Sequence, residues 1–380
     1  MEQQKANVLI VCAAGIVSGK EIMTLELGRG LKAKGQPVHV LTSVWSDESF
    51  PSRLEEIGLP FDRLPLGFIS LTLTWQCLNW TYGQLVRWPE LLRDYGALLK
   101  TQKPQTVIHT NWHHLLLLYP FLRVDRDWFW VHDVIPHKPQ YKKLFQMLSR
   151  RLQHFVPVSH AVAASLRNLG IPDQKVRVIH NGLTDPAAGT ERVASTDGIV
   201  KLGIVGQIGP WKGHEDLLEA FGQIVERFPK IELHIFGNKG SDYESQLRRQ
   251  IAELGVTDRV IWHGFLKERA EIFRSLDILA IPSRVEESFG LVAAEAGFFA
   301  LPLVATKQGG VPEIISDGIT GILVQASDPP ALAAGIERLL VDPNLRSSMG
   351  LNARKRMLSH FSIERFTGDF LLLLGSHNNQ

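Results

Sequence analysis

The stretch VKLGIVGQIGPWKGHEDLLEAF, Val200–Phe221, decides the fold. It opens with six mostly apolar residues, short enough for a buried strand. Gly206, Gly209 and Gly213 follow, and from Asp216 the apolar spacing lengthens to that of a helix. A strand that ends in a glycine turn and opens into a helix is the βα unit of a doubly wound sheet, and the N-terminus of that helix is an anion site. With Lys212 supplying a cation in the turn, a diphosphate is the natural guest.

The same alternation extends in both directions. Upstream, short apolar runs at Asn7–Ala13, Val38–Thr42, Thr106–Thr110, Trp128–Val131, Phe155–Val158 and Val176–Ile179 are separated by helical patterns. Downstream they continue at Ile231–Phe236, Arg259–Trp262, Ile278–Ile281 and Leu303–Ala305. The pattern pauses at Thr184–Thr196, which has no periodicity and reads as a linker. The expectation is an α/β protein with two Rossmann-like parallel-sheet domains, 1–183 and 200–357, joined by residues 184–199 and facing an interdomain cleft. A final segment, 358–380, carries a helix over Arg365–Gly375 whose apolar Phe370–Leu374 needs covering, and it is expected to pack back toward the N-terminal domain.

A chain of 380 residues with 44% hydrophobic and 21% charged residues is of ordinary globular composition and long enough for two cores. Its two cysteines, Cys12 and Cys77, make neither a disulfide framework nor a zinc pattern. Together with the polar Met1–Ala6, this predicts a cytoplasmic protein without a signal peptide. Leu64–Val86 runs 23 residues without a charge, but its prolines, glycines and polar residues argue against a membrane span. Its Trp75 and Trp80 are expected to pack in a core or loop, with a lipid interface or an acceptor groove as the alternatives.

Net charge is only +2 but unevenly spread, with 21 Lys+Arg against 15 Asp+Glu over residues 1–190. Val134–Pro172 holds six bases and no acid, and its apolar residues recur at helical spacing. A crossover helix with a solvated basic face is expected, the sharper alternative being contact of segment 138–151 with an anionic membrane at the inner face. Nucleic acid is not expected as a partner, since basic and aromatic residues do not interleave.

VCAAGIVSGKE, Val11–Glu21, ends in Gly-Lys but is no P-loop, because Glu21 stands where a magnesium-binding hydroxyl belongs. PSRVEESFGLVAAEAG, Pro282–Gly297, is richer. Glu287 and Glu295 flank a small-residue turn and a helix starting near Leu291, so carboxylates stand beside N–H groups able to hold phosphate.

These residues resemble the retaining glycosyltransferases of family 4, which have the GT-B fold. Glu287–Ala296 matches the family's E-x-F-G-L-V-x-x-E-A pattern, and AGFFALPLVATKQGGVPE carries Gly309, Gly310, Pro312 and Glu313 in register with a second motif. WHGF, Trp262–Phe265, looks like the family's turn at the nucleotide base, and VIHNG, Val178–Gly182, like the motif that closes its first domain. Ser18-Gly19-Lys20-Glu21 falls where the family has its first glycine loop.

The resemblance implies a nucleotide-sugar donor of UDP or GDP type as substrate, a glycan or lipid-linked acceptor, and no cofactor and no metal. By the same resemblance His132 and Glu287 are the catalytic residues. Gly19, Gln207, Lys212, Phe289, Gly290 and Leu291 lie at the donor diphosphate, and Gly264, Phe265 and Glu295 at the nucleoside. Lys212 would stabilise the leaving group. The acceptor residues stay unassigned. Gln207 departs from the family's arginine, and one fixed charge on the diphosphate is lost. A nucleotide-sugar 2-epimerase, or a donor-binding protein with impaired turnover because of Gln207, are the competing readings. Asp125-Arg126-Asp127 precedes its strand and is expected to be a surface turn instead of a metal motif. His109, His113, His114, His180 and His263 lack a suitable third ligand.

Overall fold

The computed structural model describes residues 7–13, 17–69, 74–189, 198–238, 242–266 and 268–377. It divides into two compact units, Met1–Leu183 with Ile363–Gln380, and Thr184–Ser362. Of the linker, residues 190–197 lie outside the described residues.

The first unit is a parallel sheet of β1 (Val8–Val11), β2 (Val38–Ser43), β3 (Phe61–Leu64), β4 (Thr106–His109), β5 (Asp127–Val131) and β6 (His154–Pro157). The strands lie in the order β3-β2-β1-β4-β5-β6. The second is built from β7 (Val200–Val205), β8 (Ile231–Phe236), β9 (Val260–Gly264), β10 (Ile278–Ile281), β11 (Leu303–Thr306) and β12 (Gly321–Val324), in the order β12-β11-β10-β7-β8-β9. These are the two Rossmann-like sheets of a GT-B protein. Central strands such as β1, β4 and β10 are buried end to end, which is why they read as continuous apolar runs.

Two strands lie outside the expected runs, and one apolar run is not a strand. β3 is FDRL, a half-polar edge strand, and β12 is a four-residue edge strand, GILV. β3 faces solvent on one side and loses the apolar signature, whereas β12 keeps it and its omission from the expected runs has no such cause. At Val176–Ile179 the chain lies extended beside β6 but forms only one bridge, Phe155 to Val176.

In the first unit, the closing helix Ile363–His377 packs on the helix Gly19–Ala33. A Cβ on Gly30 would come within 1.9 Å of Thr367 Oγ1, so only glycine permits this approach. Phe366 and Phe370 are buried against Trp130, with ring centroids 5.8 and 5.2 Å away. Leu64–Val86 resolves into the end of β3 and a helix, Trp75–Val86, with residues 70–73 outside the described residues. Twelve helical residues rise about 18 Å, short of a hydrocarbon core. Among the described residues no helix is long and apolar enough to cross a membrane. The expected burial of Trp75 and Trp80 is corrected, since they are 82% and 57% exposed.

Candidate functional site

In the second unit the strand order reverses between β7 and β10, which pair directly, so the loops after these two strands meet at the carboxyl edge. The loop after β7 passes through Gly206 and a short turn, Pro210–Lys212, and Gly213 at φ +70° caps the helix His214–Ile224. A Cβ on Gly213 would lie 1.9 Å from the Pro282 carbonyl oxygen. The two loops are therefore in backbone contact, and glycine is required on both counts.

This contact sets the side chains. Lys212 Nζ donates to Glu287 Oε1 at 2.5 Å, and Ser283 Oγ donates to the same oxygen at 2.6 Å. Arg284 grips Asp216 through Nε at 2.9 Å and Nη2 at 2.5 Å, and reaches Glu215 through Nη1 at 2.5 Å. Those carboxylates hold its guanidinium above its usual range. Arg284 is thus committed to the first turn of the helix after β7, while Lys212 is the cation turned toward Glu287.

The glycine pair of QGGVPE seats under the same loop. Gly310 N donates to the Glu287 carbonyl at 2.7 Å, and a Cβ on Gly309 would be 2.1 Å from that oxygen. Glu287 is held by backbone from below and by Lys212 and Ser283 from its tip. Gly290, at φ +99°, then caps the helix Leu291–Phe298, with the Phe289 side chain buried beside it. Glu295 is buried within that helix and accepts from Arg269 Nη1. Burial raises its pKa, and Arg269 opposes the rise. At the β9 edge Gly237 N donates to the Gly264 carbonyl at 3.0 Å, and Phe265 beyond it is 72% exposed. Gln207 is exposed in the loop after β7.

This unit therefore gathers Lys212, Glu287, Phe289, Gly290 and Leu291 at one sheet edge. Sequence reasoning missed Ser283, Arg284 and Arg269. Ser283 and Arg284 lie in the loop already singled out, but Arg269 is separated from Glu295 by most of two elements and leaves no spacing signal.

In the first unit Gly19 opens the helix Gly19–Ala33, preceded by its cap Ser18. Glu21 turns back on that cap, accepting from Ser18 N at 2.8 Å and Ser18 Oγ at 2.5 Å. The glutamate that spoiled the P-loop is a buried capping residue. Residues 14–16 of that loop lie outside the described residues.

His132 follows β5 with its ring 4.3 Å from Trp130, and its Nε2 has no hydrogen-bond partner among the described residues. Burial, with a smaller effect of Lys20, pushes its pKa down to about 3, so the ring is neutral at physiological pH. His113 behaves likewise, at about 4, and His114 is driven well below the ordinary value. The expected surface turn at Asp125–Asp127 is half right. Asp125 pairs with Arg123 in solvent, whereas Asp127 is buried, accepting from His109 at 2.7 Å and from Arg126 Nε at 2.9 Å.

Comparison with known proteins agrees with both sheets. The family model described as Glycosyltransferase Family 4 matches residues 17–185, and the one described as Glycosyl transferases group 1 matches 193–356. A D-inositol 3-phosphate glycosyltransferase of Corynebacterium efficiens is 37% identical over 161 residues, covering 40% of this chain and 37% of that protein. An uncharacterised glycosyltransferase of Methanocaldococcus jannaschii is 31% identical over 204 residues, covering 50% of this chain and 51% of its own. The chain thus spans about half or less of the length of these curated relatives. The Anabaena protein HepE, solved with UDP, superposes with a TM-score of 0.80 at 19% identity, over 97% of this chain and 100% of its own, and it has also been solved with UDP-glucose.

Proposed function

The chain belongs to glycosyltransferase family 4, within the group 1 glycosyl transferases, and from that premise we propose that it moves a sugar from a nucleoside-diphosphate donor to a glycan or lipid-linked acceptor. The observation that carries this reading is the Lys212–Glu287–Ser283 cluster beside the N-terminus of Leu291–Phe298. A diphosphate placed there meets one cation and a turn of helix N–H groups, which neutralise the charge that builds on the leaving group.

Glu287, released from Lys212 when phosphate arrives, faces the transferred sugar. Glu295 accepts from ribose hydroxyls, near Gly264 and Phe265 at the base. His132, neutral and unpartnered at Nε2, is suited to hydrogen-bond an uncharged sugar hydroxyl. Transfer with retention of anomeric configuration then proceeds by attack on the face the diphosphate leaves, with the departing phosphate taking the acceptor's proton. A UDP-type donor is favoured by the likeness to HepE, with GDP as the other type to be tried. The exposed bases Lys138, Lys142, Lys143 and Arg150, in a stretch without acids, support peripheral contact with anionic lipid.

Gln207 favours a second reading, a donor-binding protein of impaired turnover. Arg284 cannot replace the missing cation while it is committed to Asp216 and Glu215.

Thermal stability measured with UDP, GDP and UDP-glucose tests the donor site, since ligand binding to the folded state raises the apparent midpoint. A rise with at least one of them is expected. No rise with any would overturn the assignment, and an inverted anomeric centre in the product would overturn retention.

A further inference from the structure

The first unit holds a cavity of about 570 Å³ at the carboxyl edge of its sheet. Ala13 after β1, Ser43 at the end of β2 and Leu66 after β3 reach it from the sheet, and the helix Trp75–Val86 closes it with Trp80 and Gly83. Its size is that of a small-molecule site.

The cavity's polar atoms are largely spoken for. Gln84 Nε2 donates to the Pro65 carbonyl at 3.0 Å, and Gln84 Oε1 accepts from Gly67 N at 2.6 Å. Ser43 Oγ accepts from Trp45 N at 3.0 Å. A sugar needs several hydrogen-bonding partners around its ring, and here Gln84 and Ser43 would have to leave backbone groups unpaired to supply them. What is left to a guest is Trp45, Phe68, Trp80 and Leu66, an apolar wall, with the single amide of Asn79 beside it, too few partners for a sugar ring. That wall is fixed. Arg87, paired with Glu90, lies 5.4 Å over the Trp45 ring, and a Cβ on Gly67 would meet that ring at 2.8 Å.

The helix that closes the cavity exposes apolar side chains on its outer side. It carries no charge, Trp75 and Tyr82 are 82% and 72% exposed, and Leu78, Leu85 and Val86 are exposed beside them. Uncharged surface with Trp and Tyr among aliphatic residues is the composition that rests at the headgroup level of a bilayer. A cavity lined mostly by apolar side chains and a door of this composition call for the same guest.

We propose that the cavity takes a hydrocarbon chain of a membrane lipid, entering past the helix Trp75–Val86, and that this chain belongs to the acceptor. Only the last clause rests on the transferase reading.

Quenching of tryptophan fluorescence by a dibrominated fatty acid, added as monomer, tests this. Trp45 and Trp80 line the cavity, so saturable quenching is expected, reversed by the unbrominated fatty acid but not by a methyl glycoside. Gly83→Leu fills the space, because a Cβ there meets nothing within 4 Å, and replacing a helical glycine spares the fold. It should weaken the chain's apparent affinity at least tenfold with an unchanged or raised melting temperature, and Trp80→Ala should reduce the quenching amplitude. Absence of saturable quenching, equal affinity in Gly83→Leu, or displacement by the methyl glycoside would each overturn the proposal. The UDP thermal shift separates the two readings. A chain bound without any nucleotide response leaves the cavity and sinks the transferase, and the converse sinks the cavity alone.

Discussion

The two units wind six parallel strands with the same connectivity, yet their carboxyl edges are dressed in opposite ways. The second unit's edge is built from fixed charge, with Lys212 on Glu287, Arg284 on Asp216 and Glu215, and Arg269 on Glu295, and the loops that carry Lys212, Arg284 and Glu287 are brought into backbone contact by glycines. The first unit's edge is built mainly from burial, with His113, His114 and His132 kept neutral, and it holds an apolar cavity. The whole-unit charge runs the other way, since the first 190 residues carry the excess of bases. Net charge therefore says nothing about which edge holds an anion. The local arrangement decides it, and a charged donor at the second edge is what the proposed function asks of it.

The largest effect should come from the charged edge. Lys212→Ala is expected to lower kcat/KM for sugar transfer by about a hundredfold to a thousandfold, the usual cost of losing a group that stabilises a leaving charge. Steady-state kinetics at saturating acceptor checks it. A loss under tenfold would reduce Lys212 to a partner of Glu287 and remove the contrast between the edges.

The neutral edge should fail in acid. His132 and His113 titrate near 3 and 4 in the folded chain, below their ordinary value of 6.5, so as pH falls the unfolded chain binds protons that the folded chain does not. This stability is complete above about pH 6.5 and is lost progressively toward pH 4, on the order of 2 kcal/mol per histidine by pH 5. The second unit has His214, at about 4, and His234, lowered by burial, against His113, His114 and His132 in the first. Hydrogen exchange at pH 7 and pH 5 should show the first unit losing more protection than the second. Equal loss would mean that the histidines are not the difference.

How much of this was legible follows from the same contrast. The second edge depends on where backbones touch, and touching backbones demand glycine at Gly213, Gly309 and Gly310, a mark that survives in sequence. Its carboxylates could be read because Glu287 sits in the same loop and Glu295 in the helix that follows it. The first edge depends on side chains from β1, β2, β3 and Trp75–Val86 converging across some 70 positions, and no local spacing records that. Trp75 and Trp80 were misread as packed for this reason, because an aromatic residue in sequence does not say on which side of a helix its neighbours lie. β3 escaped because an edge strand need not be apolar.

Gln207→Arg moves the charged edge further in its own direction. A second cation beside the diphosphate, at an exposed position, should tighten UDP binding by about 1 kcal/mol, roughly fivefold. Isothermal titration at low and high salt checks it, with the gain shrinking in high salt. An unchanged or weaker affinity would show that the loop after β7 does not reach the phosphates, and that Gln207 is no defect.

The smallest effect tests the boundary between the two designs. Lys20 opens the helix after β1 next to Gly19, the position that first suggested a nucleotide grip, and its charge depresses His113, His114 and His132 as a lesser cause behind burial. If the first edge works by burial, Lys20→Met should leave UDP affinity within twofold of the parent and shift the acid limb of stability slightly toward retained stability. The histidines would then be freer to take up protons in the folded state. A loss of UDP binding approaching that of Lys212→Ala would make Lys20 a second phosphate cation, on the first unit, and erase the division of charge between the edges. A quiet variant leaves Lys212 as the cation that matters and makes the neutral edge a matter of what its residues exclude.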